Sequence, residues 1–144
     1  MTLALDTDVL VHWAMRGAPF HAAARKLVES EVRRRRGMIG ITPQVIREFL
    51  HVCTDGRRFE HPLTMADALD QARSLWFARD VSRIVPGPRV LARTLELLDK
   101  LALGRKRILD TALAATLETA GVKRLATFNG EDFKIFPFLQ VLRP

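Results

Sequence analysis

Apolar positions along the chain fall into two patterns, short unbroken runs and longer stretches spaced three and four residues apart. Leu3-Ala4-Leu5 reads as a short buried strand, and 7–16 as a helix stopped by Gly17. After Pro19, "FHAAARKLVESEVRRRR" has helical spacing that places Phe20, Ala23, Ala24, Leu27 and Val28 on one face, with Gly37 ending it. "MIGI" (38–41) is a second strand. Thr42-Pro43 then opens a third helix, because a capping residue followed by proline suits a first turn. That helix, "PQVIREFLHVCT", buries Val45, Phe49, Val52 and Cys53.

The stretch "DGRRFEHPLT" (55–64) breaks the pattern as a loop, and Thr64 is placed to cap a helix over 65–78. "SRIVP" (82–86) is a third strand, and 87–103 is helical up to Gly104. "ILDTALAATLETAG" is a helix with a glycine stop, "KRLATF" (123–128) a fourth strand, and "LQVL" (139–142) a last one. Short strands alternating with helices predict an α/β fold, a parallel sheet covered on both faces. With no repeat, low-complexity tract or linker in its 144 residues, the chain is expected to form one domain over 1–144.

Charge changes this picture more than composition does. The 23 Lys and Arg outnumber 16 Asp and Glu, and a net +7 favours a polyanionic partner through counterion release. Tyr is absent beside 8 Phe and 2 Trp, which points to phosphate contacts more than base stacking. No apolar run reaches the roughly 20 residues that span a bilayer, and an N-terminus carrying Asp6 and Asp8 does not read as a signal peptide. Cys53 stands alone, so neither a disulfide framework nor a cysteine metal site is expected, and a reduced cytoplasmic protein fits.

In an open α/β sheet, sites form beyond the C-terminal ends of the strands. Asp6 follows the first strand, and Asn129 and Asp132 follow the fourth. Glu48 falls at the border between Val45 and Val52 on one side and Arg47 and His51 on the other. Asp110 sits in a first helical turn beside Leu113 and Leu117. Each has a simpler reading: Asp6 or Thr7 as a helix cap, Asp110 as a complement to the helix dipole, Asn129-Gly130 as a turn. Together, oxygen-bearing groups on one rim make a site for a hard cation such as Mg²⁺ or Mn²⁺. In a basic protein that chemistry suits phosphodiester hydrolysis. His12, His21, His51 and His61 are scattered, without a zinc pattern, and no glycine-rich phosphate loop is present.

Four stretches in this order, "LALDTDVLV", "TPQVIREFLHV", "RILDTALAATLETAGVKRLATFN" and "EDFKIFPFLQVLRP", resemble the PIN-domain ribonucleases, specifically the toxins of VapBC-type toxin–antitoxin pairs. The resemblance implies a three-layer α/β/α fold with a short-stranded, mainly parallel twisted sheet. It also implies a metal-dependent endoribonuclease that inhibits translation. By position, Asp6, Glu48 and Asp110 match the family's first three acids. Many members have an aspartate where this chain has Asn129, so the fourth acid is read as Asp132, with Asn129 as a neutral contact. Asp6 and Asp110 are then the direct ligands, Glu48 and Asp132 act through water, and Thr7 orients the attacking water. A homodimer and a cognate antitoxin are implied too. The antitoxin's basic side chain enters the acidic groove, and the segments around 45–52 and 66–77 supply its apolar seat.

Arg105, Lys106 and Arg107, directly before Asp110, are the favoured substrate-binding cations, with Arg57 and Arg58 as alternatives. "VRRRR" (32–36) is either an RNA-tracking patch or a solvated helix end offset by Glu29 and Glu31. Two other functions compete. "DTDVL" also resembles the opening of haloacid-dehalogenase-type phosphatases, although Leu10 stands where Thr or Val is expected and no later Asp pair follows a strand. A catalytically inactive basic RNA-binding or adaptor module is the other.

Overall fold

The computed structural model describes residues 1–34 and 36–144. Five strands, β1 (Thr2–Leu5), β2 (Met38–Ile41), β3 (Val81–Arg83), β4 (Arg124–Ala126) and β5 (Gln140–Leu142), form one sheet in the order β3-β2-β1-β4-β5. Every pairing is parallel. The helices are α1 (Thr7–Ala14), α2 (His21–Arg33), α3 (Pro43–Cys53), α4 (Met65–Trp76), α5 (Pro88–Lys100), α6 (Ile108–Thr119) and α7 (Gly130–Phe133), with a 3-10 turn over Arg105–Arg107. No helix among the described residues is long and apolar enough to cross a membrane.

The order of the strands follows from their sequences. Leu3, Ala4 and Leu5 are all buried, as a central parallel strand covered on both faces requires. Gly40 lets β2 lie close to its neighbours: an added Cβ would stand 2.7 Å from Ile84 Cδ1 and 2.8 Å from Thr2 Cγ2. From β1 the chain moves outward through β2 to β3, then returns across the sheet to β4. Right-handed crossovers therefore put α1–α4 on one face and α5–α6 on the other. Strands β1 and β4, neighbours in the sheet, diverge in their connections, and this topological switch point opens a crevice at their C-terminal ends.

Several boundaries differ from the sequence expectation, each for a local reason. Helix α1 ends at Ala14 rather than 16, because Met15 takes an extended conformation. Helix α5 stops at Lys100, where Ala102 adopts φ 50° and Leu103 N–H bonds back to Leu98, so Gly104 is free to begin the 3-10 turn. Gly121 does end α6, at φ 72°. The apolar face expected to include Phe20 excludes it: Phe20 precedes α2 and is 42% exposed, while Ala24 is buried.

Arg33 and Arg34 are exposed and lie 3.8 and 3.2 Å from Glu29 and Glu31, as a solvated helix end requires, but Glu31 also has a second role. It is buried on α2 and receives two hydrogen bonds from Arg124 of β4, at 2.7 and 3.1 Å. The guanidinium holds the Glu31 carboxyl below the usual carboxylate range, and Glu31 raises Arg124 in turn. Arg34 adds a contact at 3.2 Å from the surface side, and Arg35, within the basic run, lies outside the described residues. Removing one member of a buried pair strands the other's charge. Glu31→Ala is expected to lower the unfolding free energy by about 3–5 kcal/mol in denaturant titrations. Replacing Glu31 and Arg124 together with Met is expected to cost much less.

Candidate active site

The crevice at the switch point holds a cavity of about 570 Å³ whose wall includes Asp6, Thr7, Asp8, Val11, His12 and Glu48. Val52, Arg58, Phe59, Asp110 and Asn129 complete it. Its acids arrive from three parts of the chain. Asp6 is the first residue past β1, and its N–H still bonds to Ala126 of β4. Glu48 projects from the middle of α3, which Thr42 caps through a 3.2 Å bond to Val45 N–H. Asp110 lies in the first turn of α6.

Asp6 both caps α1 and serves the cavity. Its Oδ1 accepts from Thr7 N–H at 2.8 Å, and its Oδ2 accepts from the Thr127 hydroxyl at 2.8 Å. The Thr7 hydroxyl donates to Glu48 Oε2 at 3.0 Å. The other Glu48 oxygen accepts from Gln44 Nε2, which also reaches the Leu109 carbonyl, tying the start of α3 to the start of α6. Thr7 thus joins two acids, one through its backbone and one through its side chain.

These carboxylates are held by neutral donors, and their charges oppose one another. Burial, then Asp8 and Glu48, push the Asp6 pKa from 3.8 up to about 7 against the bonds from Thr127 and Thr7. Asp110 rises to about 6 through burial, Asp6 and Asp132, with Arg107 pulling the other way. Burial also raises Asp8, a residue that sequence reasoning placed in a supporting role. Its Oδ2 accepts from Phe128 N–H and from Asn129 Nδ2, each at 3.0 Å, while its buried Oδ1 has no hydrogen-bond partner among the described residues.

The structure gathers Asp6, Thr7, Glu48, Asp110 and Asn129 in one cavity but does not bring Asp132 into its wall. Asp132 turns to Arg107, whose Nη1 lies 2.7 Å from its Oδ1 and 3.9 Å from Asp110 Oδ2. Arg107 is consequently an internal partner of acids, while Arg105 and Lys106 remain exposed. The cation in the cavity wall is Arg58, from the loop after α3. Sequence reasoning missed Gln44, Thr127 and His12 as neighbours of the acids. Only Thr127 left a trace in the chain, as a hydroxyl two residues before Asn129.

The donor set consists of carboxylate and hydroxyl oxygens, including the unpartnered Oδ1 of Asp8, and so fits a hard divalent cation. Among the described residues no three His, Cys, Asp or Glu side chains already stand at metal-ligand spacing. Asp6, Asp8 and Glu48 are engaged by hydrogen bonds of their own instead. The profile of the PIN domain matches residues 3–139. The chain belongs to the PIN-domain family. Ribonuclease VapC33 of Mycobacterium tuberculosis is 32% identical to it over 110 residues, 76% of each chain. In structure, this PIN domain is similar to VapC20 of the same organism, described as a Sarcin-Ricin loop cleaving toxin. The TM-score is 0.75 at 16% identity, over 99% of both chains. VapBC2 from Rickettsia felis, solved bound to a DNA fragment from its promoter, superposes with a TM-score of 0.69 at 18% identity, over 100% and 99%.

A carboxyl whose pKa rises on folding keeps its proton more tightly in the folded PIN domain than in the unfolded chain. Its contribution to stability therefore falls as pH climbs from 3.8, where the unfolded group ionises, through about 7, where the folded Asp6 does. In chelator, the melting temperature is expected to drop across this window by more in the parent protein than in Asp6→Asn. Parallel profiles from scanning calorimetry would remove Asp6 from the electrostatic cluster.

Proposed function

We propose that this PIN domain is a divalent-cation-dependent endoribonuclease, the toxin of a toxin–antitoxin pair that inhibits translation in the cytoplasm. One observation carries the reading. Three acids separated by 42 and 62 positions face a single cavity at the switch point of a strongly basic chain. The relatives named VapC ribonucleases support the reaction class. In this reading Asp6, Glu48 and Asp110 hold Mg²⁺ or Mn²⁺. The bound cation supplies charge neutralisation at the scissile phosphate and activation of water.

The chain's own residues do the remaining work. The Thr7 hydroxyl fixes Glu48, and Thr127 fixes Asp6, so that neither carboxylate swings with the solvent. Asp8 pins Asn129 and the turn after β4 against α1. Arg58, with the exposed Arg105 and Lys106, draws the RNA backbone toward the acids. Asp132 anchors Arg107 at the rim and stands one step from the cavity.

Partners fit two further surfaces. A groove of about 540 Å³ is lined by Leu10 and Trp13 of α1, Val28 and Val32 of α2, and Leu75 of α4. It would seat an apolar segment of the antitoxin. Val45 and Phe49, expected to contribute, are instead fully buried. The Rickettsia felis VapBC2 complex supports a partner of this kind. On the opposite face of the sheet, exposed Leu91 and Leu95 of α5 and Ile108 and Leu109 of α6 offer an apolar surface for the second copy of a homodimer.

The aspartyl-phosphatase alternative has less support, because Asp6 is engaged through both oxygens and Asp8 faces the turn after β4. Asp6→Asn and Asp110→Asn are each expected to cut RNA cleavage by more than about 100-fold without changing the circular dichroism spectrum. Chelator should do the same to the parent, with Mn²⁺ restoring activity, and Asp132→Asn should retain most of it. Full cleavage by either of the first two variants would overturn the assignment.

A further inference from the structure

Four side chains beside the carboxylate cavity meet at one corner of the molecule: His12 of α1, Phe20 before α2, Phe128 after β4, and Arg143 near the C-terminal end. The rings of Phe20 and Phe128 stack at 4.9 Å with an interplanar angle of 22°. His12 lies 5.2 and 5.0 Å from these two rings. The Arg143 guanidinium lies 5.3 and 5.1 Å from them. Such nearly equal separations close two triangles on a shared edge. Along the line joining the two ring centroids, His12 and Arg143 thus fall between the rings and flank the stack rather than capping its ends. Phe20 is accordingly 42% exposed, although its three partners are drawn tightly around it.

Polar bonds set the geometry of this corner independently of apolar packing. Phe20 N–H donates to His12 Nδ1 at 3.2 Å, and Arg143 Nη1 donates to the Phe128 carbonyl at 2.9 Å. The corner also adjoins the acids directly. His12 belongs to the cavity wall, and the Phe128 N–H is held by Asp8, itself two residues from Asp6.

We propose that the open side of Phe20, backed by Phe128 and flanked by Arg143, is a stacking platform for one unpaired nucleobase of the RNA whose backbone enters the carboxylate cavity. This rests on the ribonuclease reading above. An aromatic ring accepts any base, since every base has a π-face. A base held in a duplex cannot offer that face, whereas a loop or single strand can splay one out. Arg143 places a positive charge beside the platform, suited to the phosphate that accompanies the base. The platform therefore selects unpaired RNA with little preference for base identity at that position. It is also a use for phenylalanine that the chain's lack of tyrosine argued against.

Binding of a short single-stranded RNA to the cleavage-silenced Asp6→Asn protein, followed by fluorescence anisotropy, tests the proposal. Phe20→Ala in that background is expected to weaken binding about 5- to 100-fold. Phe20→Leu, which keeps apolar bulk without a π-face, should lose nearly as much, and Phe20→Trp should restore it. An abasic residue moved along the RNA should weaken the Phe20 protein at one position and leave Phe20→Ala indifferent there. Unchanged melting temperatures separate this loss from unfolding. If the parent cleaves RNA and the silenced protein binds it, but all three Phe20 variants bind as the silenced protein does, the platform falls while the nuclease stands. If the parent neither binds nor cleaves RNA, both fall together.

Discussion

A carboxylate placed at the end of the central strand is the constraint around which the rest of the molecule is arranged. Asp6 lies where β1 and β4 part, so its two oxygens meet only what those strands and α1 can offer: one backbone N–H and one threonine hydroxyl. Neither donor carries a charge. The neighbours that do, Asp8, Glu48 and Asp110, are of the same sign. A cluster built this way keeps protons it would lose in water, and it favours any cation that can replace them.

The molecule treats another carboxylate, the buried Glu31, in the opposite manner. Glu31 meets Arg124 at the N-terminal edge of the sheet, is satisfied by both guanidinium nitrogens, and drops in pKa. One edge of the sheet thus carries a neutralised pair that serves the fold, and the other an unneutralised group that serves the site. Both lie on strands in the middle of the sheet, with Arg124 at the start of β4 and Asp6 just past the end of β1. The surplus of positive charge stays mostly on the surface, at Arg58, Arg105 and Lys106 near the acids, where polyanions can reach it.

Much of this was legible in the chain. The "LAL" run before Asp6 marks a strand buried on both faces, and Thr42-Pro43 marks the start of α3, because both signals depend on local backbone chemistry. Glu48 stood out at the border of an apolar face, and such a border becomes a cavity rim when the helix packs. Asp132 was read from its spacing, and its ion pair with Arg107, 25 residues earlier, leaves no local signal in the chain. The second partner of Glu31 was hidden for the same reason, since Arg124 lies 93 residues away.

By itself the sequence determined the α/β class, the approximate elements and the places of Asp6, Glu48 and Asp110 at a strand end and on helix borders, since periodicity and capping are properties of near neighbours. Only the tertiary structure decided which polar groups face one another. It gave Thr127 to Asp6, Asn129 to Asp8, Arg124 to Glu31 and Arg107 to Asp132. It also left Phe20 open above Phe128. These pairings are fixed by parallel register and crossover geometry, which bring together residues tens to more than a hundred positions apart. No local pattern along the chain records such a meeting.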